Sequence, residues 1–128
     1  MIDQEISNIL QKYDYDFIHL KNTPSTMIDI KNYIQRNKKN SFHLSDQQSK
    51  GKGQRGNLWH SPLGNIYCSI SFDNFLNIKD HFLFSILITT TIKMVLEKFN
   101  ANNIYFKWPN DIFYKNSKFG GMISEIIK

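Results

Sequence analysis

Cysteine is nearly missing from this sequence. Cys68 is the only one in 128 residues, which excludes an internal disulfide and any metal site built on a cysteine cluster. Long apolar runs are missing too. The most hydrophobic stretch, residues 82–96, carries three threonines and Lys93, whereas a bilayer span needs about 20 predominantly apolar residues. Residues 1–12 are polar and acidic at their start, unlike a secretory signal. The expectation is a cytoplasmic protein with no membrane association. His19, His43, His60 and His81 lack metal-ligand spacing and read as structural or exposed. Ser61 and Ser71 lack the turn that exposes a catalytic serine. No repeat, low-complexity tract or linker divides the chain, and its length suits one domain. Alanine is scarce, while Phe, Ile, Asn and Lys are abundant, which reads as compositional drift.

What is present supports a folded domain. Hydrophobic residues make up 41% and aromatics 14%, enough to argue against global disorder. Lys and Arg outnumber Asp and Glu by 16 to 11, a net charge of +5. That favours anionic partners such as phosphates or nucleotides. It is too mild to indicate nucleic-acid binding, and a solubilising surface accounts for most of it.

Ile2, Ile6, Ile9 and Leu10 repeat at helical spacing, so an amphipathic helix opens the chain. Residues 17–20 read as a strand. A second helix follows "NTPSTM", with Ser25 or Thr26 as N-cap, Thr26 and Asp29 in capping-box spacing, and Met27, Ile30 and Ile34 facing inward. "RNKKN" closes it as an exposed basic loop. Residues 41–45 form a short strand. Ile66, Cys68, Ile70 and Phe72 alternate with Tyr67, Ser69 and Ser71, the period of a half-buried strand with the apolar set and the Cys68 thiol inside. Residues 80–99 form the longest helix, largely apolar and central. Residues 104–107 form a strand, "WPND" a turn, and residues 112–114 and 119–127 a hairpin joined by Lys115, Asn116 and Ser117. The late hairpin points to an α+β fold, a mixed β-sheet flanked by helices, rather than a doubly wound parallel sheet.

Two clusters can carry chemistry. In "QSKGKGQRGNLWHSP", Gly51, Gly53 and Gly56 let backbone approach a ligand, with Lys50, Lys52 and Arg55 between them. Backbone N–H groups and cations together cradle phosphate or carboxylate. No Gly-Lys-Ser/Thr ends the loop, so it is not a Walker A motif. No helix is expected after it, so it is not a dinucleotide fingerprint. A flexible surface loop fits the glycines equally well. Trp59 can stack on a base or anchor the loop. In "KWPNDIFYKNSKFGG", Asn110 can read an adenine edge and Asp111 can help hold a metal, or both can bond the turn backbone. Lys118 precedes Gly120 and Gly121, which leaves its ammonium uncovered.

Taken in order, these segments resemble the catalytic domain of biotin protein ligases. That family's pattern is Ser-Thr-Asn at a helix start, then Q-[ST]-x-G-R-G-R-x-G-R-x-W-x-S-P-x-G, then K-W-P-N-D, then K-x-x-G-I-L-x-E. Here stand Ser25-Thr26-Met27, "QSKGKGQRGNLWHSPLG", "KWPND" and "KFGGMISE". The resemblance runs from about Phe17 to the last residue. It implies the fold shared by class II aminoacyl-tRNA synthetases and biotin ligases. It also implies formation of biotinyl-5′-AMP from biotin and ATP with Mg²⁺, and transfer to a lysine of a biotin carboxyl carrier protein or carboxylase domain.

By this resemblance Ser25, Thr26, Met27, Gln48, Lys52, Gly53, Gln54, Lys118 and Gly121 bind biotin. Arg55, Trp59 and Asn110 bind the nucleotide, and Lys118, Lys52 and Asp111 serve catalysis, with Asp111 near the metal-bound phosphates. Met27 stands where the family has Asn, and Gln54 and Asn57 where it has Arg. Residues 1–128 correspond to the N-terminal part of that catalytic domain, with no DNA-binding domain and no C-terminal barrel domain. Three functions remain: a biotin ligase, alone or with a complementing chain or as a homodimer; an inactive or partner-dependent truncated remnant; or a lipoate or octanoyl ligase of the same fold.

Overall fold

The structure, a computed structural model, describes residues 1–73 and 82–127. It is α+β and divides into two compact units, Met1–Asp73 and Asn74–Lys128.

The first unit opens with α1 (Ile2–Gln11), followed by β1 (Asp16–Leu20), α2 (Thr26–Asn37), β2 (Ser41–Ser45) and β3 (Tyr67–Ile70). β1 and β2 pair in parallel with Ile18 opposite His43, so α2 is the crossover between them. β3 pairs antiparallel with β2, Leu44 opposite Cys68. The long connection between β2 and β3 is the glycine-rich segment.

α2 begins where the sequence predicts, with Ser25 as N-cap, but no capping box forms. The Asp29 carboxylate instead accepts a hydrogen bond from the Thr23 hydroxyl. Ile30 is buried, and Met27 and Ile34 are half-buried. The helix ends at Lys38, whose left-handed backbone (φ 52°) lets its N–H donate to the Ile34 carbonyl at 2.9 Å. The basic loop is only partly free. Lys39 Nζ lies 2.6 Å from Asp16 Oδ1, and the Tyr33 hydroxyl donates to the other oxygen of the same carboxylate. The Lys39 hydrogen bond, then that from Tyr33, holds the Asp16 carboxyl below the usual carboxylate range. The last turns of α2 are thereby tied to β1.

β2 buries Ser41, His43 and Ser45, a polar face. The Tyr33 ring meets His43 edge-on at 5.4 Å. Neither ring nitrogen of His43 has a hydrogen-bond partner, and burial pushes its pKa down. On β3 the expected faces are exchanged. Tyr67 is buried, its hydroxyl donating to the Pro62 carbonyl at 2.8 Å, while Ile66, Ile70 and Phe72 are exposed. Cys68 has exposed surface rather than being buried, although surrounding atoms still crowd its thiol enough to raise its pKa.

α1 has no buried residue, and Ile2 and Ile9 are exposed. It is clasped by charge. His19 Nδ1 lies 2.8 Å from Asp3 Oδ2 on α1, and its Nε2 lies 2.7 Å from Asp46 Oδ1 just past β2. A carboxylate can only accept, so both ring nitrogens must donate, and the geometry calls for the imidazolium. The hydrogen bond to Asp3, then that to Asp46, raises the His19 pKa. A raised pKa stabilises the clasp fully below the ordinary histidine value, about 6.5, and that stabilisation is lost as pH rises through the folded value. Amide exchange along α1 should therefore accelerate as pH rises through the His19 titration, after correction for intrinsic base catalysis. His19→Gln should remove the step, and a His19 that titrates below the ordinary value by NMR would refute the clasp.

The second unit contains α3 (Phe82–Lys98), β4 (Ile104–Lys107), β5 (Asp111–Tyr114) and β6 (Ser117–Gly121). Asp80 and His81, where the sequence places the start of this helix, lie outside the described residues. Thr89, Thr90 and Thr91 donate their hydroxyls to the carbonyls of Ser85, Ile86 and Leu87 at 2.6, 2.8 and 2.9 Å, so each is satisfied within the helix. Leu83, Leu87, Met94 and Val95 are exposed, so α3 is not covered on all sides as its apolar composition predicts. No described helix is long and apolar enough to cross a membrane.

β4, β5 and β6 form an antiparallel sheet in that order, around buried Ile104 and Ile112. Among the described residues there are two three-stranded sheets, in the α+β class that the sequence suggests. Parallel and antiparallel pairing both occur in β1–β3, while β4–β6 pair with their own sequence neighbours. The hairpin is also shifted. Ser117 pairs with Tyr114, so Lys115 and Asn116 alone make the turn, with Lys115 at φ 52°. β6 stops at Gly121 rather than continuing to 127, because its partner β5 begins at Asp111, opposite Gly121.

Candidate ligand site

In the first unit three separate segments converge on the N-terminus of α2. The backbone of Gln48 bridges Thr23 on one side and Ser61 on the other. Its side chain then reaches the start of the helix. Gln48 Oε1 accepts from the Thr26 backbone N–H at 2.9 Å and lies 3.3 Å from the Thr26 hydroxyl. Gln48 Nε2 donates to Ser61 Oγ at 3.1 Å. Thr26 Oγ1 also meets Ser69 Oγ at 2.8 Å. An open helix start has N–H groups without partners, and here a glutamine from 22 residues downstream supplies the acceptor. Thr23, Ser25, Thr26 and Ser61 are all buried. The result is a compact polar cluster of hydroxyl and amide groups, suited to a neutral ligand with both donors and acceptors.

The glycine-rich loop beside it is a miniature hairpin. Lys52 bridges Leu58, the Trp59 N–H donates to the Gly51 carbonyl at 2.8 Å, and the Gly53 N–H donates to the Asn57 carbonyl at 2.7 Å. Residues Gln54–Gly56 form a single helical turn at the tip, with Arg55 at φ 56° and Gly56 at φ 79°. No helix follows, which agrees with excluding a dinucleotide fingerprint. Gly51 is where glycine is required. A Cβ there would sit 2.3 Å from the Trp59 carbonyl oxygen and 2.5 Å from Ser61 Oγ. Lys52, Gln54 and Arg55 are exposed along the hairpin, and Gly53 and Trp59 are half-buried. Their basic groups and backbone face solvent, where an anion can reach them.

In the second unit, Asn110 ends the Trp-Pro turn and Asp111 opens β5. The Lys118 Nζ on β6 lies 2.7 Å from Asp111 Oδ1, an ion pair about one-third exposed on either side. An irregularity in register between Ile112 and Phe113 places Lys118 opposite Phe113 and Gly121 opposite Asp111. Asn110 is 4% exposed, and its Oδ1 has no hydrogen-bond partner. A buried amide oxygen left unbonded costs about 1–3 kcal/mol, and this one has acceptor capacity to offer a ligand. The described residues contain no group of three metal-ligating side chains. One oxygen of Asp111 is held by Lys118.

Residues 17–128 match the biotin/lipoate A/B protein ligase family along almost the whole chain. This chain belongs to that family. It is 31% identical over 84 residues to the bifunctional ligase/repressor BirA of Escherichia coli, covering 65% of this chain and 26% of that protein. It is 32% identical over 92 residues to biotin–protein ligase 2 of Arabidopsis thaliana, covering 65% and 27%. Among solved structures, the biotin protein ligase of Aquifex aeolicus in complex with biotin and ATP superposes with a TM-score of 0.75 at 26% identity, over 88% of this chain and 47% of that one. The chain thus spans about a quarter of the length of these curated relatives, and about half of the solved one.

Within this family member, α1 lies ahead of the matched region, and the convergent cluster and both motif segments lie inside it. The structure brings Thr26 and Gln48 together, with Ser25 as the cap beside them, and it pairs Asp111 with Lys118. Met27 is half-buried in the first turn of α2. Gln54 and Arg55 stand at the exposed hairpin tip rather than in the cluster. Three members of the cluster escape the sequence reading, Thr23, Ser61 and Ser69. Ser69 shares a strand face with buried Tyr67, a signal the alternation holds once the buried face is known.

Proposed function

We propose that this chain carries the substrate-recognising part of an ATP-dependent biotin–protein ligase. The biotin carboxylate oxygen attacks the α-phosphorus of ATP. The bond from that phosphorus to the bridging oxygen breaks, pyrophosphate departs, and biotinyl-5′-AMP forms. A lysine amine on a biotin carboxyl carrier protein or carboxylase domain then attacks the carbonyl, and AMP leaves. The observation that carries this reading is the part-buried polar cluster at the start of α2, in which Gln48, Thr26 and Ser69 converge from three segments. Such hydroxyl and amide groups match the ureido ring of biotin, which offers N–H donors and a carbonyl acceptor.

In this reading Ser25, Thr26, Met27 and Gln48 take the ureido end. In the first unit Lys52, Gly53 and Gln54 take the carboxylate side and Arg55 and Trp59 the nucleotide; in the second, Lys118 and Gly121 serve the carboxylate and Asn110 the nucleotide. Two anions must meet, and Lys52 and Lys118 supply fixed positive charge where negative charge gathers. The unbonded Oδ1 of Asn110 suits an adenine amino group. Mg²⁺ would arrive with the phosphates, since an ion held mainly by a nucleotide needs only one or two protein carboxylates.

Pyrophosphate release that requires both ATP and biotin is the expected result for this chain. Release with lipoate or octanoate in place of biotin would select the other branch of the family. Biotin binding without release, restored by adding a second protein, would mark a partner-dependent ligase. Absence of both binding and release would select an inactive remnant.

A further inference from the structure

Ser61 takes no part in the ligase reading above, yet it is 4% exposed and lies at the centre of the cluster. Its single hydroxyl proton points to the Trp59 carbonyl at 2.9 Å. The hydroxyl therefore has only a lone pair left to offer Gln48, whose Nε2 lies 3.1 Å away. At the other end of the same amide stands the Thr26 backbone N–H, 2.9 Å from Oε1. A backbone N–H can donate and never accept. Both ends thus demand the same orientation, oxygen toward α2 and nitrogen toward Ser61. A flipped amide would put –NH₂ against N–H at one end and two oxygens against each other at the other, with the hydroxyl proton still on Trp59.

Ser61 is itself held in place. The Gly51 backbone passes so close that an added Cβ would come within 2.5 Å of Ser61 Oγ. The Gln48 backbone N–H donates to the Ser61 carbonyl at 3.1 Å, and the Trp59 N–H closes the hairpin onto Gly51 at 2.8 Å. The hydroxyl position is therefore set by three backbone segments, and it passes that precision to the amide. With one amide N–H on Ser61 and the amide oxygen on Thr26, the bonding capacity left to a ligand is the second Gln48 N–H and the hydroxyls of Thr26 and Ser69, 2.8 Å apart.

We infer that Ser61 is a positioning residue that fixes the direction of the Gln48 amide, and through it the Thr26–Ser69 hydroxyl pair that meets the ligand. The identity of that ligand, the ureido ring of biotin, rests on the ligase reading. The orientation of the amide does not.

Three measurements test it. In the unmodified chain the Gln48 side-chain amide protons should exchange about tenfold more slowly than those of exposed Gln11 and Gln35, because one is bonded and shielded. In Ser61→Ala the Thr26 amide should lose about fivefold of its protection, the scale of one neutral hydrogen bond. The same variant should raise the biotin dissociation constant about fivefold to tenfold while leaving that for ATP within about twofold, and Ser61→Thr, which keeps a hydroxyl, should recover most of the loss. Parallel weakening of biotin and ATP would mean simple loosening and would overturn the positioning role. So would a Gln48 amide that exchanges like Gln11, a measurement that needs no variant to fold. A chain that binds no biotin would defeat the ligase reading, while the two exchange measurements would still decide whether Ser61 aligns Gln48.

Discussion

Gly51→Ala should destabilise the first unit by about 3 kcal/mol, at the upper end of what overpacking a tight site costs, and should abolish measurable biotin binding with it. The new methyl would need to occupy space 2.3 Å from a backbone carbonyl, that of Trp59, which cannot rotate away as a side-chain tip can. Relief requires opening the hairpin, which breaks the 2.8 Å bond between Trp59 and Gly51 and draws Ser61 off Gln48. Urea denaturation followed by a first-unit probe gives the stability loss, and calorimetry gives the binding. Gly120→Ala is the control, since its Cβ would meet only Ile112 at 3.6 Å, an ordinary contact. It should shift stability by less than about 1 kcal/mol. A Gly51→Ala midpoint equal to that of the parent would show that the hairpin does not pack as described.

Lys118→Ala should lower the rate of biotinyl-adenylate formation about 100-fold or more, the scale seen when one preorganised charge-stabilising group is removed. Biotin affinity should fall far less, because in the proposed reaction the ammonium matters most when negative charge builds on the α-phosphate. The ion pair adds a second effect. Lys118 sits 2.7 Å from Asp111, so its removal also deprives that carboxylate of this counter-charge. Asp111→Asn should slow the reaction too, since in the proposed reading that carboxylate serves the metal-bound phosphates. Both groups are about one-third exposed, so overall stability should change little in either protein. Pyrophosphate release and calorimetry on the same preparations separate the two quantities. Equal losses in rate and affinity would assign Lys118 to ground-state binding instead.

Much of this architecture is legible in the sequence, and the unreadable parts share a cause. The start of α2 follows from Ser25 and the apolar spacing after it, and β2 and β4 fall where β-forming residues cluster. The alternation across residues 66–72 identifies a strand but not its covered side. Period two separates two faces and says nothing about which one meets a helix, and here Tyr67 is the buried member. The capping partner of α2 is unreadable for a stronger reason. Thr26 and Asp29 have the right local spacing, yet the acceptor is Gln48, which the chain brings back from a distance. The Asp111–Lys118 pair depends on an irregular register between β5 and β6, which no residue type announces. The motif residues are visible as a series, while the network that aligns them appears only once the chain has folded.

The capping of α2 by Gln48 also fixes an order of events during synthesis. The helix leaves the ribosome with its first turn open, because the acceptor for Thr26 lies 22 positions further on, and the group that aligns that acceptor, Ser61, lies another 13 beyond. Ser69 follows at a separation of 43 from Thr26. Contacts so far apart in the chain carry a loop-closure cost that local helix formation does not. The helix α2 can thus form while its recognition groups are still unpaired, and the cluster closes only when the hairpin and β3 have emerged. A nascent chain halted shortly after Ser45 would have α2 yet lack Gln48, Ser61 and Ser69, every partner that completes its first turn.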